Sequence, residues 1–199
     1  MLIKKYEQDE KTWNDFKKIY ETSFDPTILD PIEVYKEASA TGETDIYLIY
    51  DDNENTAGYF TIDPHETSVI LNLIHIEPEQ RGKKYGSLLI KYIKDNILKN
   101  RALIAEVDDD VMKFYTNINF KKIEIPYFIP NMDNEDELIP YNIIQYNKKG
   151  KELSKKQLKK IFNDLFLISY DITKDDKLYT ENMKNLSKLK EKKVKHQMK

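Results

Sequence analysis

Apolar and polar residues change rhythm along this chain, and each change marks an element. Alternating or continuous apolar runs over 2–7, 45–50, 56–62, 68–76, 102–107, 123–129 and 138–146 predict strands. Apolar residues spaced three and four apart predict helices. Over about 11–24, Trp13, Phe16, Ile19, Tyr20 and Phe24 share a face; over about 82–99, Tyr85, Leu88, Leu89, Tyr92, Ile93 and Ile97 do. Asp25-Pro26 and Asp30-Pro31 interrupt the chain, and Pro31 suits the first turn of a short second helix. Asp108, Asp109 and Asp110 offer a cap to a helix over 111–117. Turns at 51–55 and 64–67 fold three strands into an antiparallel meander. The order β-α-α-β-β-β-α-β-α-β-β predicts an α/β (α+β) fold, a mixed, mostly antiparallel sheet of about seven strands flanked by helices.

Gly150 and Lys151 mark a boundary, giving a domain over 1–150 and a helical, Lys-rich C-terminal extension over 151–199. Residues 154–170 are amphipathic, with Leu158, Ile161, Phe162 and Leu165 on one face. The run Leu165-Phe166-Leu167-Ile168 is too apolar to face water. It either covers a face of the sheet or closes a homodimer. From Thr180 the chain reads as a Lys-rich helix with frayed ends.

Composition narrows the chemistry. Cys is absent, which removes disulfides, thiolate metal sites and Cys nucleophiles. His65, His75 and His196 are far apart in sequence, so no metal site is expected. No run approaches the roughly 18 apolar residues of a membrane span, and the opening MLIKKYEQDEKTW holds no signal-peptide core. A cytoplasmic protein with no membrane partner is the expectation. The net charge of -3 hides an asymmetry: residues 1–147 carry 16 Lys/Arg against 28 Asp/Glu, whereas 148–199 carry 16 Lys against 7 Asp/Glu. A basic tail can bind nucleic acid. This one lacks Arg, which supplies most specific contacts, so a solvated extension beside an acidic body is expected and nucleic acid is not.

The most informative stretch is 73–87, LIHIEPEQRGKKYGS. A strand runs through Arg-Gly into a helix, which gathers free backbone N–H groups, a helix dipole and several cations at one point. Phosphates bind well there.

The order of elements and these residues resemble the GNAT superfamily of N-acetyltransferases over about 1–147. The family's phosphate motif, Gln/Arg-x-x-Gly-x-Gly/Ala, is matched by Arg81-Gly82-Lys83-Lys84-Tyr85-Gly86, with Lys84 where the central Gly is expected. A Lys84 that is already helical tolerates this change, and its ammonium makes the phosphate contact partly ionic. The resemblance implies acetyl-CoA as cosubstrate, without a metal. Its pyrophosphate would be held by Arg81, Gly82, Lys83, Lys84, Tyr85, Gly86 and Ser87. The resemblance also implies that the strand before splays from its neighbour. Its backbone at Ile74, His75 and Ile76 would pair with the pantetheine arm, one N–H polarising the thioester carbonyl. The His75 ring reads first as structural, facing either the acceptor side or the helices.

Residues 110–120, DVMKFYTNINF, resemble the family helix ending in Tyr-x-x-x-Gly-Phe: Tyr115 and Phe120 match, and Asn119 replaces Gly. Asn is the next-best residue for a left-handed C-cap. The resemblance makes Tyr115 the general acid to the departing thiolate; the alternative is a core aromatic like Phe114. For the base, Glu106, Glu77 and water stay open. Glu106 ends the strand where some family members place a carboxylate, and burial there would raise its pKa. Asp108 lies where many relatives carry an Asn that contacts the cofactor. The family's acceptor site lies between the first two helices and the last two strands. Here these segments bring Asp25, Asp30, Glu33, Tyr35, Asp133, Glu135, Asp136 and Glu137, suited to a cationic amine. The implied function is transfer of acetyl from acetyl-CoA to a primary amine, of a small molecule or a peptide, by direct attack. The alternative is a non-catalytic coenzyme A-binding or protein-interaction module on the same fold.

Overall fold

The computed structural model describes residues 1–24, 30–131, 134 and 137–190. In chain order the elements are β1 (Leu2–Lys5), α1 (Glu10–Tyr20), α2 (Ile32–Thr41), β2 (Asp45–Tyr50), β3 (Thr56–Pro64), β4 (Ser68–Ile76), α3 (Tyr85–Tyr92), β5 (Ala102–Val107), α4 (Asp109–Asn117), β6 (Lys121–Lys122), β7 (Tyr127–Pro130), β8 (Leu138–Tyr146), α5 (Lys155–Asp164) and α6 (Lys177–Ser187). Single π turns, Ile93–Ile97 and Leu165–Ser169, extend α3 and α5. No described helix is long and apolar enough to cross a membrane.

Caps set the helix starts. Asp9 accepts from the Thr12 N–H ahead of α1, Asp108 from the Val111 N–H ahead of α4, and Ser154 forms a reciprocal capping box with Gln157 on α5. The helix expected from Gly82 starts instead at Tyr85, because Lys84 is left-handed (φ 66°, ψ 13°) and not helical. The strand expected over 123–129 forms only from Tyr127, as β7, while β6 lies ahead of it at Lys121–Lys122. The Ile125 N–H turns back onto the Ile123 carbonyl at 2.8 Å, and Pro126 has no N–H to offer a ladder.

The sheet has eight strands in the order β1-β2-β3-β4-β5-β8-β6, with β7 paired to β8. The β4–β5 pair is parallel; the other described pairs are antiparallel. Strand alternation sends Val69, Leu71, Leu103, Ala105 and Ile144 to one face, where they form a core with Leu89, Ile90 and Tyr115 from α3 and α4. The opposite face is divided. Ile46, Leu48, Tyr50 and Tyr59 pack with Phe16, Ile19 and Tyr20 of α1. Ile70, Ala102, Ile104 and Ile143 pack with Leu158, Ile161, Phe162, Leu165 and Phe166, and with Leu178 and Leu186 of α6. The segment after Gly150 therefore shares its core with the sheet, and of its apolar run Leu165 and Phe166 are buried while Ile168 is exposed. Its α6 also closes the outer edge of β7. The buried Asn182 amide accepts from the Phe128 N–H at 3.0 Å and donates to the Phe128 carbonyl at 2.9 Å, as a neighbouring strand would.

Candidate active site

The candidate site lies where β4 leaves β5. β4 stays paired with β3 as far as Ile76, but it pairs with β5 only over 68–71 against 102–105. The β3–β4 register shifts between Thr61 and Ile62, so that Asn72 is an extra, bulged residue at the end of the parallel pairing. A bulge bends and twists its strand, and residues 72–76 then run on with no described strand on the β5 side. Gly58 permits the remaining pairing: a Cβ there would stand 2.4 Å from the His75 carbonyl oxygen.

Below this opening the chain turns through Pro78–Gln80 into α3. A cavity of about 320 Å³ is lined by Ile76, Gln80, Arg81, Gly82, Lys84, Tyr85, Gly86, Ser87 and Phe114. The first bond within the α3 turn is from the Leu88 N–H to the Lys84 carbonyl, 3.0 Å, which leaves the N–H groups before it facing outward. Arg81 is anchored by Nε to the Ile76 carbonyl at 3.1 Å, and Lys83 is turned to Gln80 at 2.8 Å. Gly86 lets α3 approach α4, since a Cβ would lie 3.3 Å from the Phe114 ring. A pyrophosphate fits this donor set: unpaired N–H groups, a dipole and two cavity-lining cations. A second cavity, about 380 Å³, lies elsewhere, between β6–β8 and α5–α6.

Alternation separates the β4 residues. Ile74 and Ile76 pack toward α3. His75 points to the other face, buried in a stack on Tyr59 (centroids 5.8 Å) with the edge of Phe24 at 5.8 Å. Burial lowers the His75 pKa, against Glu77 at 4.0 Å, which raises it. Tyr115 is buried on α4, edge-on to Phe114 and Phe120, and burial lifts its phenol to about 12, with Tyr141 and Asp108 adding to the rise. Asn119 is left-handed (φ 71°), as expected for the family's Gly position. The Asp108 carboxylate caps α4.

Glu106 shares a face with Ile104 and Ala102, opposite to α3 and α4. Tyr127 donates to its Oε1, and Tyr170 donates to its Oε2 at 2.9 Å. Burial raises the Glu106 pKa, and these two bonds oppose the rise. Asp30, on the α1–α2 connection, is close enough to act on Tyr20, Tyr35 and Tyr170, each held above an ordinary phenol pKa chiefly by burial. Of the expected acidic mouth, Asp25, Asp133, Glu135 and Asp136 lie outside the described residues. Tyr127 and Tyr170 were invisible as partners of Glu106 in sequence. Tyr127 follows a strand break, and Tyr170 closes a helix whose periodicity marks only its buried face.

The acetyltransferase (GNAT) domain family matches the chain over residues 4–129. No curated protein matches the chain in sequence. Among solved structures it resembles a GNAT-family protein from Bacteroides thetaiotaomicron at TM-score 0.73 and 18% identity, covering 87% of this chain and 100% of that one. An aminoglycoside 6'-N-acetyltransferase complexed with coenzyme A superposes at TM-score 0.59 and 12% identity over 77% and 99% of the two chains. A mutant of the spermidine N-acetyltransferase from Vibrio cholerae superposes at TM-score 0.57 and 14% identity over 74% and 95%. At these identities the likeness is one of fold. The domain match spans more than half of the chain, over the elements that build the opening between β4 and β5, and so the chain belongs to the GNAT acetyltransferase family.

Proposed function

We propose that this protein is an acetyl-CoA-dependent N-acetyltransferase acting on a cationic primary amine. The observation that carries the reading is the parting of β4 from β5 above the Arg81–Ser87 turn, with Tyr115 and Glu106 on opposite faces beside it. Bound acetyl-CoA supplies an acetyl thioester open to attack by an amine. Arg81, Lys84 and the first N–H groups of α3 bind the pyrophosphate. The open edge of β4 at 74–76 receives the pantetheine arm, and a backbone N–H there donates to the carbonyl oxygen as it gains charge. Glu106 takes a proton from the attacking nitrogen. A carbon–nitrogen bond forms, the carbon–sulfur bond breaks, and Tyr115 gives its proton to the sulfur. With its pKa pushed up to about 12, Tyr115 is fully protonated at neutral pH and available as that donor.

The acceptor side supports a cation. Asp30 and Glu106 lie near the partly exposed Tyr35, Tyr141 and Tyr170, carboxylates and rings of the kind that attract ammonium groups. The amines named for two of the similar structures, spermidine and an aminoglycoside, are both polycations. The test is release of free thiol from acetyl-CoA across a panel of cationic, neutral and acidic amines. Cationic amines should turn over, and Tyr115→Phe should slow the best by about 100-fold or more. Turnover of only neutral or acidic amines would refute the acceptor class. An unchanged rate in Tyr115→Phe would remove it as the acid. Stabilisation by acetyl-CoA with no thiol release on any amine would instead favour a binding module.

A further inference from the structure

Glu106 receives a hydrogen bond on each carboxylate oxygen, and the two donors come from different parts of the chain. Tyr127 belongs to β7, within the span matched to the family; Tyr170 lies well beyond it, in the C-terminal segment. Tyr170 is restrained on several sides. Its N–H donates to the Leu165 carbonyl at 2.9 Å, closing the π turn. Its ring packs on Phe166, with centroids 5.8 Å apart, and Phe166 in turn stacks with Tyr127 at 6.2 Å. Ser169, the residue before it, is bonded to Nε2 of His65 beyond the end of β3, at 3.0 Å. A hydroxyl carried on so fixed a backbone fixes the carboxylate that it meets.

We infer that Tyr170 is a positioning residue for acetyl transfer: the C-terminal segment supplies the phenol that orients the Glu106 carboxylate toward the acceptor. The inference rests on the acetyltransferase reading with Glu106 as base. Each Glu106 oxygen accepts one phenol proton and keeps a lone pair for the proton of the amine. The groups facing the carboxylate are Tyr127 from β7, Tyr141 from β8 and Tyr170, with Asp30 acting on Tyr170 from the α1–α2 connection. All three phenols are raised, so they stay neutral donors at physiological pH. Their bonds to the ionised form oppose the effect of burial.

The decisive variant is Tyr170→Phe in the full chain, which deletes the hydroxyl and keeps the ring on Phe166. Its kcat with the best amine should fall about tenfold, while the KM for acetyl-CoA is unchanged. The acidic limb of its pH–rate profile should move to higher pH, because the carboxylate has lost a donor. Tyr127→Phe should move the limb the same way, and Tyr170→Met, which also lacks the hydroxyl, serves if Tyr170→Phe misfolds. A kcat and limb equal to wild type overturn the inference. A lower kcat with the limb in place also overturns it, since that is loss of packing alone. If no amine of the panel makes the wild-type chain release thiol, the acetyltransferase reading fails by itself. The coupling is then read from the 13C titration of the Glu106 carboxyl, where a titration unmoved by Tyr170→Phe overturns the inference.

Discussion

Lys84 shows how a residue can meet a backbone demand at some cost. The left-handed φ of 66° is the conformation that a glycine takes freely, and an L side chain there costs about 1–2 kcal/mol. Glycine would lose about 0.5–1 kcal/mol of that gain to the entropy of the unfolded chain. Lys84→Gly should therefore raise the melting temperature by about 2–4 °C, while coenzyme A binding weakens and becomes less sensitive to salt. Thermal unfolding and titration at two ionic strengths check both halves. The position was legible in sequence as the missing family glycine, but its conformation was not. A Lys after Gly-Lys carries no helical or left-handed signature of its own, and only the turn closed by the α3 N-terminus imposes one. Glu106 yields a prediction with a definite sign. Burial raises its pKa above that of the unfolded chain, so the folded state holds the proton more tightly. Its contribution is fully present below the ordinary carboxylate range and is lost as pH rises through the folded value. Glu106→Gln should match wild type in melting temperature below the ordinary carboxylate range and exceed it once the pH has risen through the folded value, at the loss of most activity.

At the scale of elements, close approach decides more than propensity does. Gly58→Ala forces a Cβ to within 2.4 Å of the His75 carbonyl and must separate β3 from β4 at the mouth of the site. Urea unfolding should show a loss of about 2 kcal/mol or more, with weaker acetyl-CoA binding in the folded fraction. Asn182 poses the complementary case. Replacing it with Leu leaves the Phe128 N–H and carbonyl without their partner, at about 1–3 kcal/mol each when buried; Asn182→Leu should unfold at lower urea than Asn182→Gln. Most elements were legible because their apolar residues repeat at 2 or 3.6. The meander and β5 lie where their periodicity put them; α1 stops at Tyr20, short of the expected Phe24, and α2 was marked by Pro31 and not by periodicity. The break between β6 and β7 was not legible, because Ile123, Ile125 and Tyr127 alternate like a strand. They are buried as a strand face would be, yet Pro126 and the turn at Ile125 withhold the ladder.

For the whole molecule, the consequential arrangement is the divided face of the sheet. The N-terminal helices cover one half and the segment after Gly150 covers the other. A chain ending at residue 150 should therefore not behave as an independent domain. It would expose Ile70, Ala102, Ile104 and Ile143, and each large aliphatic side chain returned to water forfeits about 1.5–3 kcal/mol. Strong binding of a hydrophobic dye and a lost cooperative unfolding transition are the expected results, and a soluble monomer of 1–150 with a sharp transition would contradict them. The strand–turn–helix of the candidate donor site was legible because it is local, one strand running into one helix. On the proposed acceptor side the resemblance pointed to Glu106, Asp30 and Tyr35, whereas the Tyr170 bond to Glu106 was not legible, because it joins residues 64 positions apart that no short window contains. The same division has a meaning in time. During synthesis the N-terminal portion leaves the ribosome first, so the aliphatic face of β4, β5 and β8 emerges complete while α5 and α6 are still to come. Until they arrive the nascent chain presents a sticky surface, and this interval is when it would most need a chaperone.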